Sequence, residues 1–315
     1  MLKITAVVVT YKAPGIFKQC IDGIRNQTYK VDRIIVINNG GEDETAEWLT
    51  HQDDITSVNH QNTGGAGGFD IGIKLAYEMD CDWIWCLDQD IETNSNTLSN
   101  LINSKVSNNH YTGFLSSLAF FKEKEIAHIN VPLLSLSYEV INSLVINGEL
   151  PILCSSFGSV LISQRAVSEA GLPIQDFFIW GDDSEYTFRM VELGFKGYLI
   201  MNSTVYHKSS INEFDPLLKI DLHSFRAKVG IRNKIYLTKL RNKLLYNSLF
   251  RGYLASFNYI ARLIKQRFKK PASTVLLNVL LIIRYFVGGL MYNPRKYLPI
   301  EIRKKIKNRY TDKRI

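Results

Sequence analysis

Cysteine is scarce in this chain, and the four present (Cys20, Cys81, Cys86 and Cys154) form neither a CxxC pair nor a disulfide framework. That excludes a disulfide-stapled secreted scaffold and favours a reducing cytosol. No internal repeat and no low-complexity tract appears, so a solenoid and a disordered linker protein are set aside. The start, "MLKITAVVVTY", enters a strand pattern at once and lacks the layout of a signal peptide. The longest apolar run, Val275 to Tyr292, is barely long enough to cross a bilayer and carries Asn278 and Arg284, so a packed or interfacial helix is expected instead of a span. Acidic residues are nearly missing from the last third. From Lys219 to Ile315 there are 24 Lys/Arg against 3 Asp/Glu, whereas the preceding residues carry 14 against 27. A mildly acidic body with a strongly basic tail calls for a polyanionic partner.

The 315 residues suffice for one large domain, or a domain with an extension. Strand and helix alternate through the first hundred residues. "ITAVVVT" is a near-continuous β-branched run, as in a parallel strand covered on both faces. Pro14 suits a first helical turn, with Phe17, Ile21 and Ile24 marking one apolar face. "VDRIIVI", Ile55 to Val58 and "DWIWCL" read as three more strands, separated by "DETAEWLT" and "GGFDIGIKLAYEM" as helices. This βαβαβ order predicts an open, mostly parallel sheet. Further on, "ILCSSFGSVLIS" reads as a strand, "DDSEYTFRMVELG" as a helix closed by Gly194, and "KGYLIM" as a strand, after which long basic helices follow. In such sheets ligands bind at the carboxyl ends of strands. Four polar clusters fall there: "TYK", "NNGGED", "NTGGAGG" and "DQD".

Asp88 and Asp90 stand one residue apart, so in extended backbone both project to one side. Two carboxylates so close repel unless a cation joins them. A hard divalent ion that also binds phosphate oxygens is favoured over a solvated turn capped by Thr93 or Asn94. The five glycines between Gly64 and Gly72 permit close backbone approach, either to a pyrophosphate or sugar or simply to form a flexible turn. They match neither a Rossmann fingerprint nor a P-loop. "FFIWGDDSEYTFRM" gathers Trp180, Asp182, Asp183 and Glu185 near a helix start, where acids satisfy the helix dipole; acids beside a Trp also suit a general base with a platform for a sugar ring. Arg189 is spaced to pair with Glu185. His207 and the Arg232–Asn233 pair are unremarkable alone.

Taken in order, these segments resemble the family 2 glycosyltransferases over roughly residues 4 to 240. "AVVVTYKAP" resembles the opening strand and nucleotide loop, "IIVINNGGEDET" the second strand end, "LDQD" the D-x-D motif and "WGDDSEYTFR" the acidic motif of the catalytic base. The combination of "NTGGAGGF", "WGDDSEY", a downstream His and "RNKIYL" is most similar to the galactofuranosyltransferase and rhamnosyltransferase branch, bacterial enzymes that build cell-surface polysaccharides (O-antigen, capsule or cell wall). The resemblance implies an α/β GT-A fold: a Rossmann-like, mostly parallel central sheet flanked by helices. Residues 1–220 would form the catalytic domain, with a nucleotide-sugar half to about 100 and an acceptor half after it, and 221–315 a basic, amphipathic helical extension.

The same resemblance implies an inverting, metal-dependent hexosyltransferase, using Mn2+ or Mg2+, that takes galactofuranose or rhamnose from a UDP- or dTDP-linked donor to a hydroxyl of a glycan or lipid-linked acceptor. Asp183 would be the catalytic base. Thr10, Tyr11, Asn38, Asn39, Asn62, Gly65 and Asp88 would line the donor; Asp88, Asp90 and His207 would hold the metal; Trp180, Asp182 and Glu185 would meet the acceptor. Many members have Asp where this chain has Asn38, which leaves the base preference open. The basic tail implies a peripheral site on the inner, cytoplasmic face of the membrane, with anionic lipid and not nucleic acid as its polyanion. Packing on the core or in a homo-oligomer is the other use for those helices. A sugar-1-phosphate nucleotidyltransferase and a non-catalytic sugar-binding or scaffold module remain as alternatives. The first lacks a convincing Arg/Lys-rich loop after strand one, and the second leaves the acids without a purpose.

Overall fold

The structure, a computed structural model, describes residues 2–41, 43–122, 125–134, 148–268 and 272–294. The described chain folds as two compact units, one of residues 2–175 and 183–212, the other of 176–182 and 213–294.

In the first unit, strands β1 (Ile4–Thr10), β2 (Arg33–Asn38), β3 (Ile55–Asn59) and β4 (Trp83–Asp88) are linked by helices α1 (Pro14–Arg25), α2 (Glu44–Leu49) and α3 (Gly64–Glu78). All three pairings among these strands are parallel. The β-branched run of β1 is buried along its whole length because helices cover both faces. Ile4, Ala6 and Val8 join Phe17, Ile21 and Ile24 of α1 on one side. Val7 and Val9 join Phe69, Ile73 and Ala76 of α3 on the other, as the two-residue period of a strand requires. Truncating Phe17 to Ala in such a core costs about 3–5 kcal/mol.

The glycines of α3 are largely explained by this packing. A Cβ on Gly68 would collide with Val9, and one on Gly72 with Val7, so helix and strand approach closely only because those side chains are missing. The helix also starts at Gly64, earlier than the sequence pattern suggests.

Beyond β4 the unit continues through β5 (Ile91–Thr93), α4 (Thr97–Ile102), β6 (Thr112–Lys122), β7 (Glu125–Ile126), β8 (Leu133–Leu134), β9 (Glu149–Cys154), β10 (Gly158–Ser163), α5 (Gln164–Ala170), α6 (Asp182–Glu192, its first residue in the second unit) and β11 (Lys196–His207). The sheet order is β3-β2-β1-β4-β10-β6-β11-β9-β8, with β5 on β11 and β7 on β6. The expected parallel character holds for the first four strands. The second half is mixed, since β10 runs antiparallel to both β4 and β6 while β11 is parallel to β6. "ILCSSFGSVLIS" is two strands instead of one. Ser155 to Phe157 break the run, and β9 and β10 take different places in the sheet.

The second unit holds α7 (Phe225–Tyr246), α8 (Leu249–Arg267) and α9 (Ala272–Met291) around Leu217, Ile231, Ile235, Tyr259, Leu263 and Ile282. Ser224 and Ser248 cap the first two helices by accepting from Ala227 N and Arg251 N. The segment 176–182 belongs with these helices although it lies far from them in sequence. Among the described residues, no helix is long and apolar enough to cross a membrane. The polybasic stretch 295–314 lies outside the described residues.

Candidate active site

Parallel register brings the polar strand ends to one edge. Thr10 lies beside Asn38, Asn38 beside Asn59, and Val9 beside Asp88. Gln89, between the two acids, lies with Asp90 in the turn that follows β4. Its Oε1 accepts from Thr10 Oγ1 at 2.9 Å and from the Tyr11 backbone N–H at 2.8 Å, tying the ends of β1 and β4 together. This residue was invisible as a contributor in sequence. Because the strand ends at Asp88, the alternation of extended backbone does not reach Gln89, and no pattern in the sequence marks it.

The donor-side residues divide. Tyr11 is exposed, Asn62 is exposed, and a Cβ on Gly65 would meet no atom within 4 Å, so all three border open space. Thr10, Asn38 and Asn39 are buried, at no more than 1% exposure. Asn38 Nδ2 donates to Gly41 O at 2.9 Å, Asn59 Oδ1 at 3.1 Å and Asp43 Oδ1 at 3.2 Å. Asn39 donates to Gly64 O and accepts from Thr63 N, and Asn62 Oδ1 accepts from Gly64 N. Thr10, Asn38 and Asn39, expected beside the donor, thus offer it almost no side-chain surface. A side chain with no accessible surface and its polar atoms committed locally shapes the loops instead. An Asp in place of Asn38 would lose three donated bonds and set a second carboxylate against Asp43, which accounts for Asn in this chain.

Asp88 and Asp90 are half-buried at the tip of β4. β5 folds back onto the end of β11, pairing Ile91 with His207, and Lys208 N donates to Asp90 O at 2.8 Å. His207 is thereby set beside Asp90, with Nε2 3.2 Å from Asp90 Oδ2. Burial first, then the Asp90 charge, push the Asp88 carboxyl up to about 7; His207 opposes the rise and the Asp183 charge adds to it. Burial alone would lower His207, but the hydrogen bond to Asp90 and the charges of Asp90 and Asp88 outweigh it and hold the imidazole above its ordinary value. The charges of Asp90, His207 and Asp183 thus all reach Asp88.

Asp183 is half-buried in the first turn of α6, where the Ser184 N–H donates to its Oδ1 at 2.5 Å. Glu185, two residues on, points inward with no exposed surface. Arg189 Nη2 lies 2.7 Å from Glu185 Oε2, and its Nη1 donates to the carbonyls of Ala170 and Leu172. The pair expected from the four-residue spacing forms. Glu185, expected beside the acceptor, has its carboxylate enclosed by protein. Asp182 is buried at 7% exposure and Trp180 is half-buried. Both belong to the second unit, where Phe178 and Trp180 hold positive φ angles of 61° and 63°. Asn233, unremarkable in sequence, is buried there and donates to the carbonyls of Phe177, Ile179 and Trp180 at 2.9–3.0 Å, holding that strained turn.

The donor set fits a divalent cation. Asp88 and Asp90 bring two carboxyl groups to the tip of β4, and the His207 ring points Nε2 at Asp90 while Nδ1 is engaged elsewhere. Among the described residues, no three or more His, Cys, Asp or Glu side chains form a group that could hold a metal ion. Phosphate oxygens and water would complete the shell, as is usual for Mg2+.

A sheet of this order, flanked by helices, is the GT-A fold. Its likeness to a solved structure of GalNAc-T7 with UDP, GalNAc and Mn2+ has a TM-score of 0.61 at 14% identity, covering 76% of this chain and 48% of that one. Residues 5–161 match the model of glycosyl transferase family 2, and the chain belongs to that family. It is similar to galactofuranosyltransferase GlfT1 of Mycolicibacterium smegmatis, 26% identical over 232 residues that cover 70% of this chain and 76% of the relative. It is also 31% identical to O-antigen chain rhamnosyltransferase RfbN of Salmonella typhimurium over 102 residues, 32% of each chain. The protein is thus a hexosyltransferase of the galactofuranosyl and rhamnosyl branch.

Proposed function

We propose that the protein transfers galactofuranose or rhamnose, with inversion and with help from a divalent metal, from a UDP- or dTDP-linked donor to a hydroxyl of a glycan or lipid-linked acceptor in bacterial surface-polysaccharide assembly. The observation that carries this reading is the gathering of Asp88 at the tip of β4, Asp90 beside it and His207, whose Nε2 lies 3.2 Å from Asp90 Oδ2, with Asp183 near enough for its charge to reach Asp88. Tyr11, Asn62 and Gly65 border the donor. Asp183, its Oδ1 held by the Ser184 amide, takes the proton of the acceptor hydroxyl as that oxygen attacks the anomeric carbon. The bond from that carbon to the phosphate oxygen breaks with its electron pair, and the nucleoside diphosphate leaves from the opposite face. Mn2+ or Mg2+ held by Asp88, Asp90 and His207 would supply positive charge against the departing diphosphate. Assay of UDP-galactofuranose and dTDP-rhamnose with Mn2+, reading transfer and anomeric configuration by NMR, tests the reading. Turnover undiminished in EDTA would remove the metal, and a retained configuration would remove direct displacement.

The helical unit supports attachment at the inner face of the cell membrane. Neither α8 nor α9 contains an acidic residue. On α8, Phe250 (75% exposed), Leu254 and Phe257 form an outward apolar stripe, and Arg251, Arg262 and Lys265 flank it within one helical face. Aromatic and aliphatic side chains beside cations suit the boundary between acyl chains and anionic headgroups. Co-sedimentation with phosphatidylglycerol vesicles but not with phosphatidylcholine vesicles is expected. Binding to neither, together with a dimer in analytical ultracentrifugation, would assign the face to a second copy.

A further inference from the structure

Asn130 belongs to no motif and lies 77 positions from His207 in sequence, yet the two side chains meet. Its Nδ2 donates to Ser156 Oγ at 2.8 Å, and its Oδ1 lies 2.6 Å from His207 Nδ1. With the amide nitrogen committed to Ser156, the atom facing the ring is an acceptor, so His207 Nδ1 must carry the proton it shares. That leaves Nε2 as the nitrogen aimed at Asp90. Space for the amide exists because residue 158 is Gly; a Cβ there would strike Asn130 Nδ2.

The turn bearing Asn130 (His128–Asn130) is itself braced. His128 N donates to Asn212 Oδ1 at 2.7 Å, and Asn212 Nδ2 donates to Glu125 Oε1 at 2.8 Å and Ile126 O at 3.0 Å. The chain just beyond His207 thus secures the turn that orients His207.

We propose that Asn130, oriented by Ser156, is a positioning residue that fixes the tautomer and ring plane of His207 so that Nε2 is presented as a metal ligand. The inference rests on the reading of His207 as a metal-holding residue. An imidazole ligand whose other nitrogen donates to a fixed acceptor is more basic and loses less freedom on binding, and losing such a partner typically costs about 10–100-fold in metal affinity.

The test is Mn2+ affinity of the full chain, read by electron paramagnetic resonance with UDP present. N130L, of similar size but without an acceptor, is expected to weaken Mn2+ binding by about 10–100-fold. N130D should restore it, because a carboxylate still accepts from Nδ1–H and the Ser156 hydroxyl can donate to it. S156A, which frees the amide without removing it, should weaken binding several-fold and stands in for N130L if that variant fails to fold. Long-range 1H–15N correlation of His207 at high pH, assigned against H207Q, should show the Nδ1–H form in the wild type. H207A separates the two claims. If H207A leaves Mn2+ affinity unchanged, the metal reading of the site fails. If H207A weakens it while N130L, or S156A in its place, does not, or if His207 carries its proton on Nε2, the assignment of Asn130 is overturned.

Discussion

The strand-end rim of the first unit and the α8 face of the second both collect charge, and they use it differently. At the rim, four ionisable side chains are half-buried or buried at the ends of β4, β11 and the start of α6, close enough that burial and mutual charge displace Asp88 and His207 from their ordinary values. On α8, Arg251, Arg262 and Lys265 stand out into solvent between exposed aromatic and aliphatic side chains. In a poorly solvated pocket, one charge changes what its neighbour can hold or give away; on an open face, charges act additively and over an area. Burial therefore decides in which cluster one charge shifts the protonation of its neighbour.

The sharpest way to break that contrast is at the rim. D183N should lower transfer by about 10²- to 10⁴-fold, the usual contribution of a general base, with donor affinity by calorimetry nearly unchanged. Loss of donor binding in this variant would count against Asp183 as base. Next in size is N38D, which replaces three donated hydrogen bonds by a buried carboxylate next to Asp43. A loss on the order of 3 kcal/mol in urea unfolding is expected; an unchanged midpoint would show that the Asn38 amide does not brace this loop.

On α8, a Phe250→Glu, Phe257→Glu double variant should reduce partition onto anionic vesicles at least about tenfold while activity on a soluble acceptor stays within twofold, since each buried Phe contributes about 1.5–3 kcal/mol. Equal partition would show that the face is covered by something other than lipid.

The smallest effect is on stability against pH. Folded Asp88 keeps its proton to about 7, whereas the unfolded chain loses it near the ordinary carboxylate value of 3.8. The folded state thus binds more protons across that window, and the metal-free protein loses stability as pH rises through it. His207, raised when folded, contributes in the same direction, its stabilisation fading as pH climbs past its folded value. Mn2+ should reverse the trend, so the gain in Tm on adding it, a few degrees at most, should be larger at pH 8 than at pH 6. An equal gain at both would separate the metal from Asp88.

Much of the first half was legible because β-branched runs and helical periodicity both follow from burial on covered faces, as Ile4–Thr10 and Phe17, Ile21 and Ile24 illustrate. The rim was legible because Asp88 and Asp90 have no structural reason to end an apolar strand. What stayed hidden depends on contacts between distant segments. The break at Ser155–Phe157 falls between two apolar stretches, and only Ser155, Ser156 and Gly158 between them hinted that the run is interrupted. Glu185 and Asp183 carry the same group two residues apart on one helix, and only the packing of Arg189 against Ala170 and Leu172 decides that one of them points inward. Gln89, Asn130 and Asn233 are ordinary amides whose roles appear only when their acceptors come from other strands and turns.

The most direct test of a single shared site is anomalous diffraction from crystals grown with Mn2+ and UDP. One manganese peak beside Asp90 Oδ2 and His207 Nε2, bridged to the diphosphate, with the Asp183 carboxylate facing the same cavity, is the predicted result. Manganese bound elsewhere, or Asp183 opening onto a cavity that the nucleotide does not enter, would contradict it.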